Sequence, residues 1–252
     1  MAFEYHWWDL EDSKFKGVLY NAIGNFWLYE HPYETWDDFE NDLPHMAFTH
    51  LVYTRFETLE RLFVDLRVVG QMLGAVEVPV KSIEMNINRY DWLKSALDLK
   101  LLRFSSIRDV SFLFVNEVLV LKIEEKKVTQ KSLKKAIGKA RPDLMVILEE
   151  LCEAGTEIRN ERNIRTHVGI ADLGTEDDQM FKNMSWGEAA GGKLVSYEIE
   201  EIYCDAAQRI YERLVEETDN LVRLVIRLAD ALILDFEQNY QEKYSSRNNI
   251  EQ

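Results

Sequence analysis

Arg162, Asn163 and His167 are the residues of this chain whose types and spacing suit one kind of chemistry. An arginine presents a planar fork of donors to a phosphate and stabilises charge building up on its oxygens. A histidine near neutral pH takes a proton from a ribose 2′-hydroxyl or gives one to a leaving oxygen. Asparagine moves no proton, but it can hold a histidine tautomer or a phosphate in place. Together the three suffice for metal-independent RNA cleavage by 2′-hydroxyl attack, with no cofactor. Arg159, Arg165 and Thr166 are the accompanying substrate-binding candidates. Arg159, Arg162 and Arg165 follow at three-residue steps, and Thr166 lies four residues beyond Arg162 on the same face.

Helical geometry constrains how these groups could meet. Asn163 and His167 are four apart and share a face, whereas Arg162 and His167 are five apart and diverge by about 140° around a helix axis. A site using both needs a loosened helix end or a second copy of the chain. Gly169 and Gly174 just downstream allow the first, and a two-fold homodimer supplies the second.

The pattern Arg162-Asn163-x-x-x-His167 resembles the R-x4-6-H motif of the HEPN superfamily, including the polar residue that often follows the arginine. The resemblance implies an all-α fold, a HEPN-like helical bundle of long antiparallel helices, and a homodimer in which two motifs line one cleft. It also implies a metal-independent endoribonuclease of toxin–antitoxin or defence type, with Arg162, Asn163 and His167 as active-site residues and an antitoxin or regulatory partner. The toxin branch paired with nucleotidyltransferase antitoxins carries a tyrosine two residues after the histidine. Gly169 stands there, so regulation by tyrosine modification is not expected. The alternative within the family is a non-catalytic module that binds RNA, a nucleotide or a protein.

The elements expected to position the motif are read from apolar periodicity. Ser13 can cap an amphipathic helix carrying Phe15, Leu19 and Ile23, and Thr35 opens a short helix ending before Pro44. A long helix is expected over 47–75 and another over 88–102. Ser105 and Ser106 offer caps for a central buried helix over 110–123. Thr129 opens a short basic helix with Lys131, Lys134 and Lys135. Arg141-Pro142-Asp143 starts the motif helix, which should continue to about Thr166. Residues 169–193 read as a polar insertion that could gate the cleft, with a short helix over 175–184. A final helical region spans 196–244, with a break expected near Thr218-Asp219-Asn220. Residues 1–44 thus read as an N-terminal helical extension packed on the main domain, 45–245 as the bundle and 246–252 as a flexible tail.

Composition narrows the function classes. With a formal net charge of −15 and a pI near 4.8, the chain as a whole repels polyanions, so RNA must be met at a local basic cleft. No secretion signal or apolar run of membrane-spanning length is evident, which leads to the expectation of a cytoplasmic chain with no membrane partner. Cys152 and Cys204 form no disulfide framework and read as small buried hydrophobes. His6, His31, His45 and His50 lack metal-ligand spacing, and Trp7, Trp8, Trp27 and Trp36 read as core or interface anchors. Glu150-x-x-Glu153 with Glu216-x-x-Asp219 fits the letters of an Mg-dependent all-α nucleotide pyrophosphatase, the remote alternative, although an acidic solvated face is the simpler account.

Overall fold

The apolar stripes form helices throughout the described residues, and the interruptions fall where backbone groups find other partners. The computed structural model describes residues 9–24, 33–75, 89–167, 183 and 196–248, without the side chains of 89, 90, 165–167, 196–200, 202 and 246–248. Among them are nine α-helices, one 3-10 turn and no strand. The helices are α1 (Lys14–Gly24), α2 (Trp36–Asp42), α3 (Pro44–Gly74), α4 (Arg89–Val118), α5 (Gln130–Ile137), α6 (Pro142–Ala154), α7 (Thr156–His167), α8 (Ser196–Ala231) and α9 (Ile233–Asn248), with the 3-10 turn at Glu125–Lys127. The expected all-α class is therefore the observed one. No helix among the described residues is long and apolar enough to cross a membrane.

The chain divides into two units. The first takes Leu62–Ser106 and Ala154–Asn220, and the second takes Asp9–Arg61, Ile107–Glu153 and Leu221–Gln252. In the second unit the ring of Phe15 on α1 is fully buried. Its centroid lies 5.7 Å from Phe56 of α3, 5.2 Å from Phe114 of α4 and 5.4 Å from Phe236 of α9. Two of these contacts are edge-on, the arrangement that ring quadrupoles favour. Asp230 of α8 anchors the start of α1. One carboxylate oxygen accepts from Ser13 Oγ (2.8 Å) and from the Phe15 backbone N–H (3.1 Å). Ser13 is thus a donor in this arrangement, and the anion at the positive helix end comes from a residue more than two hundred positions away.

Arg141 ties α6 to the junction of α8 and α9. Its guanidinium donates to both carboxylate oxygens of Asp143 (3.1 and 2.7 Å), to the Ala231 carbonyl (2.8 Å) and to Asp235. The α8–α9 break falls there, at Leu232, and not at residues 218–220. Thr218 is buried inside α8, where its hydroxyl bonds back to the Leu214 carbonyl at 2.6 Å, so the polar run does not interrupt the helix. The same reason removes the break expected at Ser105 and Ser106. Their hydroxyls donate to the carbonyls of Leu101 and Leu102, both at 2.9 Å, and α4 runs through. It stops at Val118 rather than Ile123 because the Asn116 side chain captures both backbone groups of Ile123 (3.2 and 3.1 Å). Between them Val120 and Lys122 adopt φ of 50° and 57°, left-handed conformations that are strained for non-glycine residues, most of all for a β-branched one.

Several side-chain expectations also change. Cys152 and Cys204 are half-buried rather than buried, and burial pushes the Cys152 thiol above its ordinary pKa. Trp36 is exposed, against Phe39 and His50, while Trp7, Trp8 and Trp27 lie outside the described residues. His45 is buried between the rings of Tyr240 and Tyr244 at 5.4 and 5.1 Å, a packing role.

In the first unit, Gly70 on α3 sits so close to Tyr211 of α8 that a Cβ there would lie 3.1 Å from the ring. The Trp92 indole donates to the Met72 carbonyl at 2.7 Å, joining the start of α4 to the end of α3. Lys100 is buried beside Glu217 at 2.8 Å, and Arg103 meets Asp65 at 2.8 Å. Arg213 also reaches Glu217 at 2.9 Å, so two cations share one carboxylate.

Two outcomes test this account. Asp230→Ala should cost about 1–2 kcal/mol of stability in urea unfolding, and Asp230→Asn less, because the amide oxygen can still accept. Equal losses in the two variants would refute the capping role. Burial also pushes the Glu117 carboxyl above the usual carboxylate range, with Arg55 opposing and Glu125 adding to the rise. The folded state therefore holds this proton more tightly than the unfolded chain. That contribution is present below the ordinary carboxylate pKa and is lost as pH rises through the raised one. Glu117→Gln should raise the melting temperature at neutral pH, and the gain should disappear in acid.

Candidate functional site

The motif lies on α7, which begins after Gly155. The Gly155 carbonyl accepts the Arg159 backbone N–H at 3.0 Å, giving the new helix its first hydrogen bond. The single helix expected from Arg141 to Thr166 is therefore two, α6 and α7, because glycine at this point favours an interruption over continuation. Ile158 is the only buried side chain among those described on α7. The other described side chains of this short helix are polar except Ile164, which is exposed, so its hold on the first unit rests mainly on Ile158 together with local hydrogen bonds.

The arginines do different things. Arg159 folds back on the helix start, donating Nε to the Gly155 carbonyl (3.1 Å) and Nη2 to Thr156 Oγ1 (3.0 Å). Arg162 is half-buried and donates Nη2 to the Asn163 side-chain carbonyl at 3.1 Å. It makes no ion pair among the described residues, although Glu157 and Glu161 are close in sequence. A solvated face of arginine–glutamate pairs is thus not what Arg162 belongs to. With its carbonyl engaged by Arg162, the exposed Asn163 still has its amide NH₂ to donate. Guanidinium and amide together form a donor surface suited to an oxyanion.

Helix α7 continues to His167 as its last residue, so the backbone positions of Arg162 and His167 diverge by about 140°. The side chains of Arg165, Thr166 and His167 lie outside the described residues, as do most of residues 169–193 with the expected short helix over 175–184 and the gating segment. The structure brings Arg162 and Asn163 together and places Arg159 in a local, helix-starting role. The Arg162–Asn163 bond was not foreseen from spacing. Adjacent residues do not share a helix face, and only the length of the arginine stem lets the two groups meet.

In the acidic constellation Glu150 is already paired, as is its neighbour Glu149. Glu150 takes Arg227 at 2.6 Å and Glu149 takes Lys134 at 3.1 Å. Among the described residues no group of three or more histidine, cysteine, aspartate or glutamate side chains is arranged to hold a metal ion. No protein-family model, curated protein or solved structure matches the chain.

If Ile158 alone anchors α7, Ile158→Ala should cost about 2–4 kcal/mol within the first unit. Amide exchange over 156–167 should accelerate while α6 stays protected, as followed by hydrogen-exchange mass spectrometry. Unchanged exchange across α7 would show that other contacts hold it.

Proposed function

We propose that the protein is a HEPN-type, metal-independent endoribonuclease that works as a homodimer. The observation that carries this reading is Arg162: a half-buried guanidinium in a chain of net charge −15, hydrogen-bonded to the neutral Asn163 and to no carboxylate among the described residues. A cation left uncompensated among so many acids is suited to an anion supplied from outside.

In this mechanism the Arg162 fork and the Asn163 amide bind the scissile phosphate and stabilise the charge that grows on its oxygens. His167 withdraws the proton of the ribose 2′-hydroxyl, which attacks the adjacent phosphorus; a proton must then reach the leaving 5′-oxygen. Arg165 and Thr166 would hold the flanking RNA, with Arg159 contributing mainly to the start of α7. The divergence of Arg162 and His167 on one regular helix supports a shared site, in which each copy supplies the group that the other projects away. The family resemblance extends the proposal to a cytoplasmic toxin or defence enzyme held in check by a protein antitoxin.

Arg162→Ala and His167→Ala should each reduce RNA cleavage at least about a hundredfold, with unchanged far-UV circular dichroism and no effect of chelator on the wild type. Mixing the two inactive variants should restore part of the activity if the site is shared between copies. Wild type that cuts no RNA, with variants defective only in binding, would leave the non-catalytic module in place of the enzyme. Activity abolished by chelator would point to the pyrophosphatase type of chemistry instead.

A further inference from the structure

We propose that α5 and the turns on either side of it form an anchoring surface for the RNA phosphate backbone; the identity of the polyanion as RNA rests on the ribonuclease reading. Between Lys122 and Lys139 the chain carries seven lysines against only Glu124 and Glu125, in a protein that is otherwise strongly acidic. All seven lysines are exposed. Of the two acids, Glu124 is paired with Lys127 and Glu125 with Arg55 from α3. Lys134 has Glu149 at 3.1 Å. Lys122, Lys126, Lys131, Lys135 and Lys139 make no hydrogen bond or ion pair among the described residues. Their charges are therefore uncompensated.

The fold holds these charges together. Thr129 and Ser132 close a reciprocal capping box at the start of α5, fixing the helix in spite of its shortness. Leu133 and Ile137 are buried on its inner side, which leaves Lys131, Lys134 and Lys135 facing outward at helical spacing. Lys134 and Lys135 also lie in the last turn, where the helix dipole favours cations. Lysine is a compact point charge that suits sequence-independent phosphate contact rather than base readout.

A membrane surface is the less suitable partner. An interfacial helix must offer a large apolar face to lipid, and the apolar face of α5 is buried against the protein. A polyanion asks only for the charges that α5 displays.

The test uses the full chain and a labelled, fully 2′-O-methylated oligonucleotide that cannot be cleaved by 2′-hydroxyl attack. Binding is followed by fluorescence anisotropy over a series of salt concentrations. Lys131→Glu/Lys135→Glu/Lys139→Glu should weaken binding about tenfold or more, and the plot of log affinity against log salt should become shallower by about two. The neutral counterpart with glutamine at all three positions should give an intermediate loss and guards against misfolding of the charge-reversed form. Unaltered affinity and slope in both variants would overturn the proposal. So would wild type that binds phosphatidylserine vesicles but not the oligonucleotide. Lysine-dependent binding without cleavage of unmodified RNA would uphold the anchoring surface and overturn only the ribonuclease reading.

Discussion

The ring of Phe15 meets Phe56, Phe114 and Phe236 at once, and the second unit is arranged round that meeting. A ring delivered by α1 to the interior of three other helices fixes where α1 must begin, and Asp230 fixes it again by accepting from the Ser13 hydroxyl and the Phe15 backbone N–H. The two constraints act at the same end of the same helix, one apolar and one polar, so sliding α1 by a single residue would lose both. Arg141 plays a matching part from the middle of the chain, binding the start of α6 to the α8–α9 junction through side-chain and backbone acceptors. Burial supplies most of the energy here, and the polar contacts choose one arrangement among those that burial allows.

How far the sequence reveals this depends on the range of the interactions. The all-α class, the Thr35 and Thr129 caps and the Pro142 start are local signals, and each appears where the residues place it. The breaks expected at serine and threonine share one cause. Ser105, Ser106 and Thr218 have the residue types of a helix break, yet a hydroxyl bonded to the carbonyl four residues earlier is equally at home inside a helix. Asp230 capping α1 and Arg141 clamping α9 are decided by partners that no window of local sequence contains, whereas Asn116 stops α4 through Ile123, seven residues on, by a side-chain bond that apolar periodicity does not register. At the candidate site the residue types and the helix were legible, whereas the bond between Arg162 and Asn163 depends on side-chain reach.

Charge is distributed on the same principle of separation. The bulk of the chain is acidic, which keeps copies and nucleic acid apart by default. Two features depart from that background. Arg162 lacks a carboxylate partner on α7, and α5 with its flanking turns carries five such lysines. Among the described residues neither Arg162 nor these five lysines gains a carboxylate partner from folding. Both are intelligible as features kept for a ligand.

That Ile158 is the single buried residue among the described side chains of α7 has an evolutionary side. A helix that hangs on Ile158 asks little of its other positions, and exposed substitutions generally shift stability by less than about 0.5 kcal/mol. The outward residues of α7 are therefore free to drift, diversify or be recruited without passing through unfolded intermediates. Selection on Arg162 and Asn163 would act mainly through their chemistry, because their one hydrogen bond is to each other and not to the rest of the fold.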